Sequence, residues 1–156
     1  MIFFRTQVVR VLLISLVFIG FASTARATML STASDDVNMR SGPGTNYKII
    51  WKLGKGFPLM VLKKNGAWYR VRDFEGTIGW VHEDVTSSTP SMIIKVNKNS
   101  NKKINIRSGP GTKHRIIAKA HYGVVLTTLQ QKDGWVQVQH EKGVTGWVER
   151  SLVWGW

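Results

Sequence analysis

The sequence contains no cysteine, so disulfides and thiolate metal sites cannot stabilise it. The same absence excludes a cysteine nucleophile and a lipid anchor on a cysteine behind an export signal. Acidic residues are also few, with 9 Asp and Glu against 22 Lys and Arg. Any compact fold must therefore rest on an apolar core, to which the seven Trp and six Phe bring the most area per residue.

The first 27 residues have the pattern of a cleavable export signal. Arg5 and Arg10 precede an apolar run over 11–22, and Ala-Arg-Ala at 25–27 offers small residues at the cleavage positions. An uncleaved anchor is the alternative, but the run is shorter than the ~18–20 residues that cross a bilayer as a helix. We predict that residues 1–27 are removed, that the mature chain does not span a membrane, and that it is periplasmic or secreted.

The mature chain is strongly basic. Without the three arginines of the signal it has 19 Lys and Arg against 9 Asp and Glu, a formal charge of +10. Such a surface concentrates polyanions, which in that compartment are peptidoglycan or other anionic envelope polymers. Nucleic acid is not an expected partner because it is absent there. The alternative is that the charge serves only solubility.

The mature chain is an internal repeat. Residues 37–85 align with 104–152 at a constant offset of 67 without a gap. An N-x-R-S-G-P-G-T motif and a later Gly-Trp pair occur in both copies. The repeated residues of the first copy are Asn38, Arg40, Gly42, Pro43, Gly44, Gly79 and Trp80, and those of the second copy are Asn105, Arg107, Gly109, Pro110, Gly111, Gly146 and Trp147.

The Ser-Gly-Pro-Gly segment of the motif predicts a turn between two strands. Its glycines can take a positive φ without a Cβ clash, and proline fixes its own φ near −65°. The segments Gly42-Pro43-Gly44 and Gly109-Pro110-Gly111 are therefore interpreted as structural residues of equivalent turns.

Each copy alternates short apolar runs with turn residues, and no stretch after the signal has helical periodicity. Asn65-Gly66 and Asp133-Gly134 have the composition of tight hairpin turns. The polar stretch 86–90 ends in proline and predicts the boundary between the copies. We predict an all-β fold of two tandem small SH3-like barrels, 28–88 and 91–156, with roughly five strands each.

The repeated N-x-R-S-G-P-G-T motif, followed by G-x-W and a short closing strand, resembles the bacterial SH3 domain family, in the tandem variety of exported Gram-negative proteins. The resemblance covers both copies and nearly the whole mature chain. It implies a small barrel that targets or binds in the cell envelope, commonly on peptidoglycan and often beside a wall hydrolase. No catalytic domain is seen in this sequence.

Catalytic patterns are not found. The histidines occur singly, without zinc-protease spacing and without a histidine at the repeat-equivalent position, and are interpreted as surface loop residues: His82, His114, His121 and His140. Two close carboxylate pairs of the first copy lie near predicted turns among basic residues and are interpreted as surface charge: Asp73 with Glu75, and Glu83 with Asp84. We therefore predict no catalytic residue, no metal and no cofactor.

Aromatic side chains are the candidates for a ligand groove, because a ring face stacks on sugars or apolar side chains. The candidates are Tyr47, Trp51, Trp68, His114, Tyr122 and Trp135. Trp51 and Tyr122 have no aromatic counterpart in the other copy, so the alternative is that they pack the barrels together. The Gly-Trp pairs are expected to close the barrels, and the Asn and Arg of the motif to tie its turn to a strand.

The leading interpretation is an exported, non-catalytic binding module of the cell envelope that recognises peptidoglycan. The alternative is a periplasmic or secreted interaction module that binds an extended or proline-rich peptide of an envelope protein. A third interpretation is a basic surface that holds anionic lipid or polysaccharide without using the aromatic residues.

Overall fold

The computed structural model describes residues 27–156, which form two β-barrels in sequence. The predicted signal lies outside the described residues, apart from Ala27. The strands of the first barrel are β1 (Met29–Thr32), β2 (Val37–Arg40), β3 (Ile49–Leu53), β4 (Pro58–Asn65), β5 (Trp68–Arg72), β6 (Ile78–His82) and β7 (Thr86–Ser87). Those of the second are β8 (Ser91–Ile94), β9 (Ile104–Arg107), β10 (Ile116–Ala120), β11 (Val125–Lys132), β12 (Trp135–Gln139), β13 (Thr145–Glu149) and β14 (Val153–Gly155).

The all-β prediction is confirmed, with one short 3₁₀ turn in each barrel, at Glu83–Val85 and Arg150–Leu152. The sheet orders are β3-β2-β6-β5-β4-β1-β7 and β10-β9-β13-β12-β11-β8-β14, so the two barrels have the same topology. Each has seven strands where about five were expected. No helix within the described residues is long and apolar enough to cross a membrane.

The core of each barrel comes from strands with every second residue turned inward. In β2, Val37 and Met39 are buried, and in β9 the buried residues are Ile104 and Ile106, at the repeat-equivalent positions. Each fully buried side chain of this size contributes about 1.5–3 kcal/mol relative to exposure. With no disulfide available, these two clusters stabilise the barrels.

Hairpin turns join β4 to β5 and β11 to β12. The first is formed by residues 66–67, one position later than predicted, because Asn65 ends β4 and pairs with Trp68. Gly66 has φ +56°, and Asp133 and Gly134 have φ +49° and +78°, a left-handed backbone typical of tight hairpins. The strands pair from the first residue after each turn, which places Trp68 at the start of β5 and Trp135 at the start of β12.

The Ser-Gly-Pro-Gly turn is fastened by its arginine. Arg40 Nη1 donates to the carbonyl oxygens of Thr45 and Tyr47, both at 2.8 Å. In the second barrel, Arg107 Nη1 makes the same two bonds, also at 2.8 Å, to Thr112 and His114. The arginine of each motif therefore ties its turn to a strand.

The glycines of these turns are needed mainly because a side chain would clash there, and less because of their backbone conformation. Of the four, only Gly111 has a positive φ, at +145°, so the expectation of a positive φ is wrong for Gly42, Gly44 and Gly109. A carbon at the Cβ position of Gly42 would instead lie 2.3 Å from Tyr47 Cδ1, so the ring needs a glycine beneath it.

The proline and second glycine complete each turn. Pro110 is half-buried, as is Pro43, and both lie in the turn rather than in a strand. The carbonyl oxygen of Gly111 accepts the backbone N–H of His114 at 3.3 Å. That bond returns the chain towards β10 and places the imidazole over the turn.

The two barrels pack against each other. The connection is only residues 88–90, because Thr86 and Ser87 of the predicted boundary form β7 and pair with β1. Strand β8 is buried on both faces and contacts β4 of the first barrel. Met92 and Ile94 enter the core of the second barrel, whereas Ile93 belongs to neither core and is still only 1% exposed.

Tyr122 joins the barrels at a second place. Its ring lies 5.4 Å from that of Phe74, and its hydroxyl donates to Glu75 Oε1, which also accepts from Lys98 Nζ at 2.7 Å. The hydrogen bond from Lys98, with that from Tyr122, lowers the pKa of Glu75. Partial burial, with the bond to Glu75, raises the pKa of Tyr122 to about 12.

Candidate functional site

The first barrel carries a depression of about 210 Å³ with Trp68 in its wall, called the Trp68 groove below. It is also lined by Asn38, Arg40, Thr45 and His82, with Asp35 and Asp36 at the loop before β2. Trp68 pairs with His82 across β5 and β6, and the two rings meet edge to face at 5.1 Å. The barrel therefore fixes an aromatic pair beside polar side chains.

One polar atom of the Trp68 groove lacks a partner. Asn38 Oδ1 is buried and accepts no hydrogen bond from any described residue. Folding leaves such an acceptor unsatisfied at a cost of about 1–3 kcal/mol. The nearby Arg40 does not supply that donor: its side chain bonds through Nη1 to the turn and makes no hydrogen bond to Asn38.

The rim of the Trp68 groove is acidic. Asp35 Oδ1 accepts the backbone N–H of Lys55 at 2.8 Å, and Asp36 Oδ1 lies 3.9 Å from Lys52 Nζ while remaining 84% exposed. The groove thus presents a ring pair and oxygen acceptors. That combination suits a ligand with an apolar face and hydrogen-bond donors.

Trp51 lies in a different depression, also of about 210 Å³, with Leu53, Phe57 and Phe74. Its side chain is 53% exposed, and the Phe57 and Phe74 rings meet at 5.8 Å. Phe74 continues this aromatic cluster to Tyr122. Of the two predicted aromatics without a counterpart, Tyr122 therefore packs the barrels together, and Trp51 stays open to solvent.

The other predicted groove residues are dispersed. Tyr47 is 44% exposed on its turn and does not line the Trp68 groove. His114 covers Gly109 in the same way, and a Cβ there would lie 2.5 Å from His114 Nδ1. Trp135 is half-buried and pairs with Glu149, so the second barrel lacks the ring pair of the first. The six residues do not form one groove per barrel.

The Gly-Trp pairs lie on the strands β6 and β13. Trp147 is 8% exposed, and Trp80 is half-buried with Lys63 Nζ 5.5 Å from its ring centroid. Gly79 is packed tightly, since a Cβ on it would lie 2.6 Å from Met39 Cε. Because side chains alternate along a strand, Gly79 faces the core with Val81, whereas Trp80 and Trp147 belong to neither core cluster. A barrel-closing role of the two tryptophans therefore stays a prediction.

The two close carboxylate pairs make structural contacts, one to a turn and one to a lysine. Asp73 is buried, and its Oδ1 accepts the backbone N–H of Glu75 at 2.9 Å and of Thr77 at 2.8 Å, which fixes a turn. Glu83 Oε2 lies 2.5 Å from Lys64 Nζ, and that hydrogen bond lowers the pKa of Glu83. Residues 27–156 hold no group of three or more His, Asp or Glu able to bind a metal.

His82 corrects the sequence interpretation. It is not a loop residue: it ends β6, is half-buried, and packs on Trp68. Its counterpart in the repeat is Glu149, and this mismatch at a strand end was the available signal. Asn38 was also expected to be structural, but its unpartnered Oδ1 distinguishes it from Arg40.

Comparison with known proteins identifies the repeat. The family model described as bacterial SH3 domain matches residues 33–88 and 100–155. The putative N-acetylmuramoyl-L-alanine amidase YrvJ of Bacillus subtilis is 31% identical over 153 residues, which is 94% of this chain and 29% of the relative. The chain thus spans less than a third of that relative.

Solved structures resemble the chain more distantly. NlpC2 of Trichomonas vaginalis has 16% identity and a TM-score of 0.34, over 83% of this chain and 48% of that one. An NlpC/P60 family protein of Bacillus cereus has 13% identity and a TM-score of 0.38, over 83% of this chain and 56% of that one.

Proposed function

The chain belongs to the bacterial SH3 domain family, and we propose that it is an exported, non-catalytic binding module that recognises peptidoglycan through the Trp68 groove. The Bacillus subtilis relative is named a putative N-acetylmuramoyl-L-alanine amidase, and this chain aligns with part of it. A wall-binding role suits a segment that the family model describes as SH3 domains over most of its length.

The observation that carries the proposal is the unpartnered Asn38 Oδ1 beside the Trp68–His82 ring pair. A sugar ring offers an apolar face for the indole, and its hydroxyl and acetamido groups offer donors for the oxygen. The acidic rim at Asp35 and Asp36 suits the ammonium groups of wall peptides. The basic remainder of the surface suits the carboxylates of the polymer.

The proposal places the protein in the periplasm or outside the cell. The predicted signal supports export, and the formal charge of +10 on the mature chain supports contact with an anionic polymer.

Co-sedimentation with purified sacculi tests the proposal. Asn38→Ala should lower the association constant about tenfold, a loss of ~1.4 kcal/mol, without lowering the melting temperature, since the amide oxygen has no partner to lose. Trp68→Ala should weaken binding further. The matched controls are Asn105→Ala and Trp135→Ala at the equivalent positions of the second barrel.

The outcome separates the proposed functions. Folded Asn38→Ala and Trp68→Ala proteins that sediment like the wild type would reject the Trp68 groove. If the wild-type protein does not bind sacculi but binds an extended or proline-rich peptide, the interaction-module alternative is established. Release of soluble wall fragments by the pure protein would contradict a non-catalytic role.

A further inference from the structure

A cavity of about 490 Å³ lies between the barrels. It is called the inter-barrel cleft, and both barrels line it. Its hydroxyl-bearing residues are Ser31, Thr32, Ser87, Thr89, Ser91 and Thr127. This volume falls within the ~300–1,000 Å³ of small-ligand sites.

The repeat explains why the cleft exists. Tyr122 and Phe74, which close the barrel contact, correspond in the repeat to Lys55 and Glu141. Lys55 and Glu141 both line the inter-barrel cleft, one from each barrel. The same pair of positions thus makes an aromatic contact in one place and leaves an opening with opposite charges in the other.

The two charges are available to a ligand. Neither Lys55 nor Glu141 forms an ion pair with another of the residues 27–156. By contrast, hydroxyls of the cleft are engaged: Thr32 Oγ1 donates to the Gly54 carbonyl at 2.6 Å, and Ser31 Oγ to that of Thr89 at 3.0 Å. The polar wall is therefore held in place while its charged rim is free.

Ser91 provides an independent sign of a missing partner. It is 2% exposed, lines the cleft, and its Oγ has no hydrogen-bond partner among the described residues. A buried hydroxyl without a partner costs stability that a ligand amide would return. None of the lining residues within 27–156 is aromatic, so they offer no face on which a sugar ring could stack.

We propose that the inter-barrel cleft binds a short zwitterionic peptide, with its carboxylate at Lys55, its ammonium at Glu141 and a backbone amide at Ser91. This inference rests on the proposed function, since wall peptides carry both free charges. It adds a second site, for the peptide part of the polymer, that neither barrel has alone.

Isothermal titration of the purified protein with a synthetic tetrapeptide, Ala-γGlu-Lys-Ala with all termini free, tests the inference. Lys55→Glu and Glu141→Lys should each weaken binding about tenfold or more, because each places like charges together. Acetylation of both amines with amidation of the carboxylates should do the same. A peptide-free glycan disaccharide should not compete.

Ser91→Ala tests the hydroxyl of the cleft specifically, and Thr128→Val is its matched control. Thr128 Oγ1 is likewise buried and unpartnered among the described residues but does not line the cleft. Both substitutions should leave the melting temperature unchanged or raise it, and Ser91→Ala alone should weaken the peptide severalfold.

Two results would overturn the inference: equal peptide affinity in the wild type, Lys55→Glu and Glu141→Lys, or competition by the glycan. Sacculus binding that survives either result would leave the proposed function standing without the cleft. Loss of sacculus binding in Asn38→Ala with intact peptide binding would separate the two sites.

Discussion

At several outer positions the first barrel carries rings where the second carries small or acidic side chains, whereas Tyr122 of the second barrel stands where the first has Lys55. Trp51 corresponds to Ala118, Phe74 to Glu141 and His82 to Glu149. The equivalent core positions instead stay apolar, identical at Val71 and Val138 with 0% and 1% exposure, and different at Met39 and Ile106. The difference shows that the fold constrains the inner positions and leaves the outer ones to diverge.

Charge diverges in the same way. Asp35 and Asp36 beside the Trp68 groove correspond to Lys102 and Lys103 in the second barrel. The basic excess is therefore not spread evenly over the two barrels. A ligand that carries hydrogen-bond donors and ammonium groups would therefore bind the first barrel in preference to the second.

The largest expected effect concerns strands β1 and β8. In the strand register Ile93 of β8 corresponds to Ser31 of β1, and Ile93 is buried outside both cores. Ile93→Ala should lower the free energy of unfolding by about 2–5 kcal/mol, measured by urea denaturation with Trp fluorescence. Ile116→Ala, at 46% exposure, is the control and should change it by less than about 0.5 kcal/mol. Equal effects would mean that the barrels do not cover Ile93.

Next come the two packed glycines. A Cβ on Gly146 would lie 2.6 Å from Ile106 Cγ2 and 2.9 Å from the Arg107 carbonyl oxygen, whereas one on Gly79 would meet the flexible end of Met39 at 2.6 Å. Both alanine variants should lose about 1–3 kcal/mol, and Gly146→Ala should lose more because backbone cannot rotate away. Thermal melts of the two proteins, side by side, check the order; the reverse order would count against it.

The arginine clamps should respond alike. Arg40 and Arg107 make the same two carbonyl bonds, all at 2.8 Å. Replacing either with Lys removes the guanidinium fork and should cost about 1 kcal/mol in each barrel. Denaturant titration of the two single variants would contradict equivalence if their losses differed by more than about 0.5 kcal/mol.

The smallest effect is a pH dependence of the contact at Glu75, which the repeat does not duplicate because Glu75 corresponds to Lys142. The pKa of Glu75 is lowered in the folded protein by Lys98 and Tyr122. Its stabilisation is therefore present above the ordinary pKa of 4.5 and lost as pH falls below it. The melting-temperature difference between wild type and Glu75→Gln should shrink on going from about pH 6 to about pH 3; a constant difference would contradict the contact.

The sequence predicted what depends on local pattern. Gly66, Asp133 and Gly134 take the left-handed backbone that tight hairpins need, and alternating residues specify the strands on either side. The family resemblance then supplied the barrel, which the match over both copies confirms. Strands β1 and β7 were missed because two short polar-containing segments pair only through distant contacts, such as Ser31 with Ser87.

The candidate site was less predictable. A sequence places Trp51 and Trp68 17 positions apart but does not say that they open onto different depressions. Whether Tyr122 faced a ligand or the other barrel depended on Phe74 and Glu75, which reach it only in the folded chain. The inter-barrel cleft is created by that packing and has no local signature.

Nitrogen-15 NMR can show whether the first barrel binds the wall polymer at the Trp68 groove while the equivalent surface at Trp135 of the second barrel does not. The indole Nε1–H signals of the seven Trp report each site separately during titration with soluble wall fragments. We expect saturable shifts of the Trp68 signal and little change at Trp135. Shifts at Trp135 with Trp68 unmoved, or no shift at any Trp at saturating fragment, would contradict it.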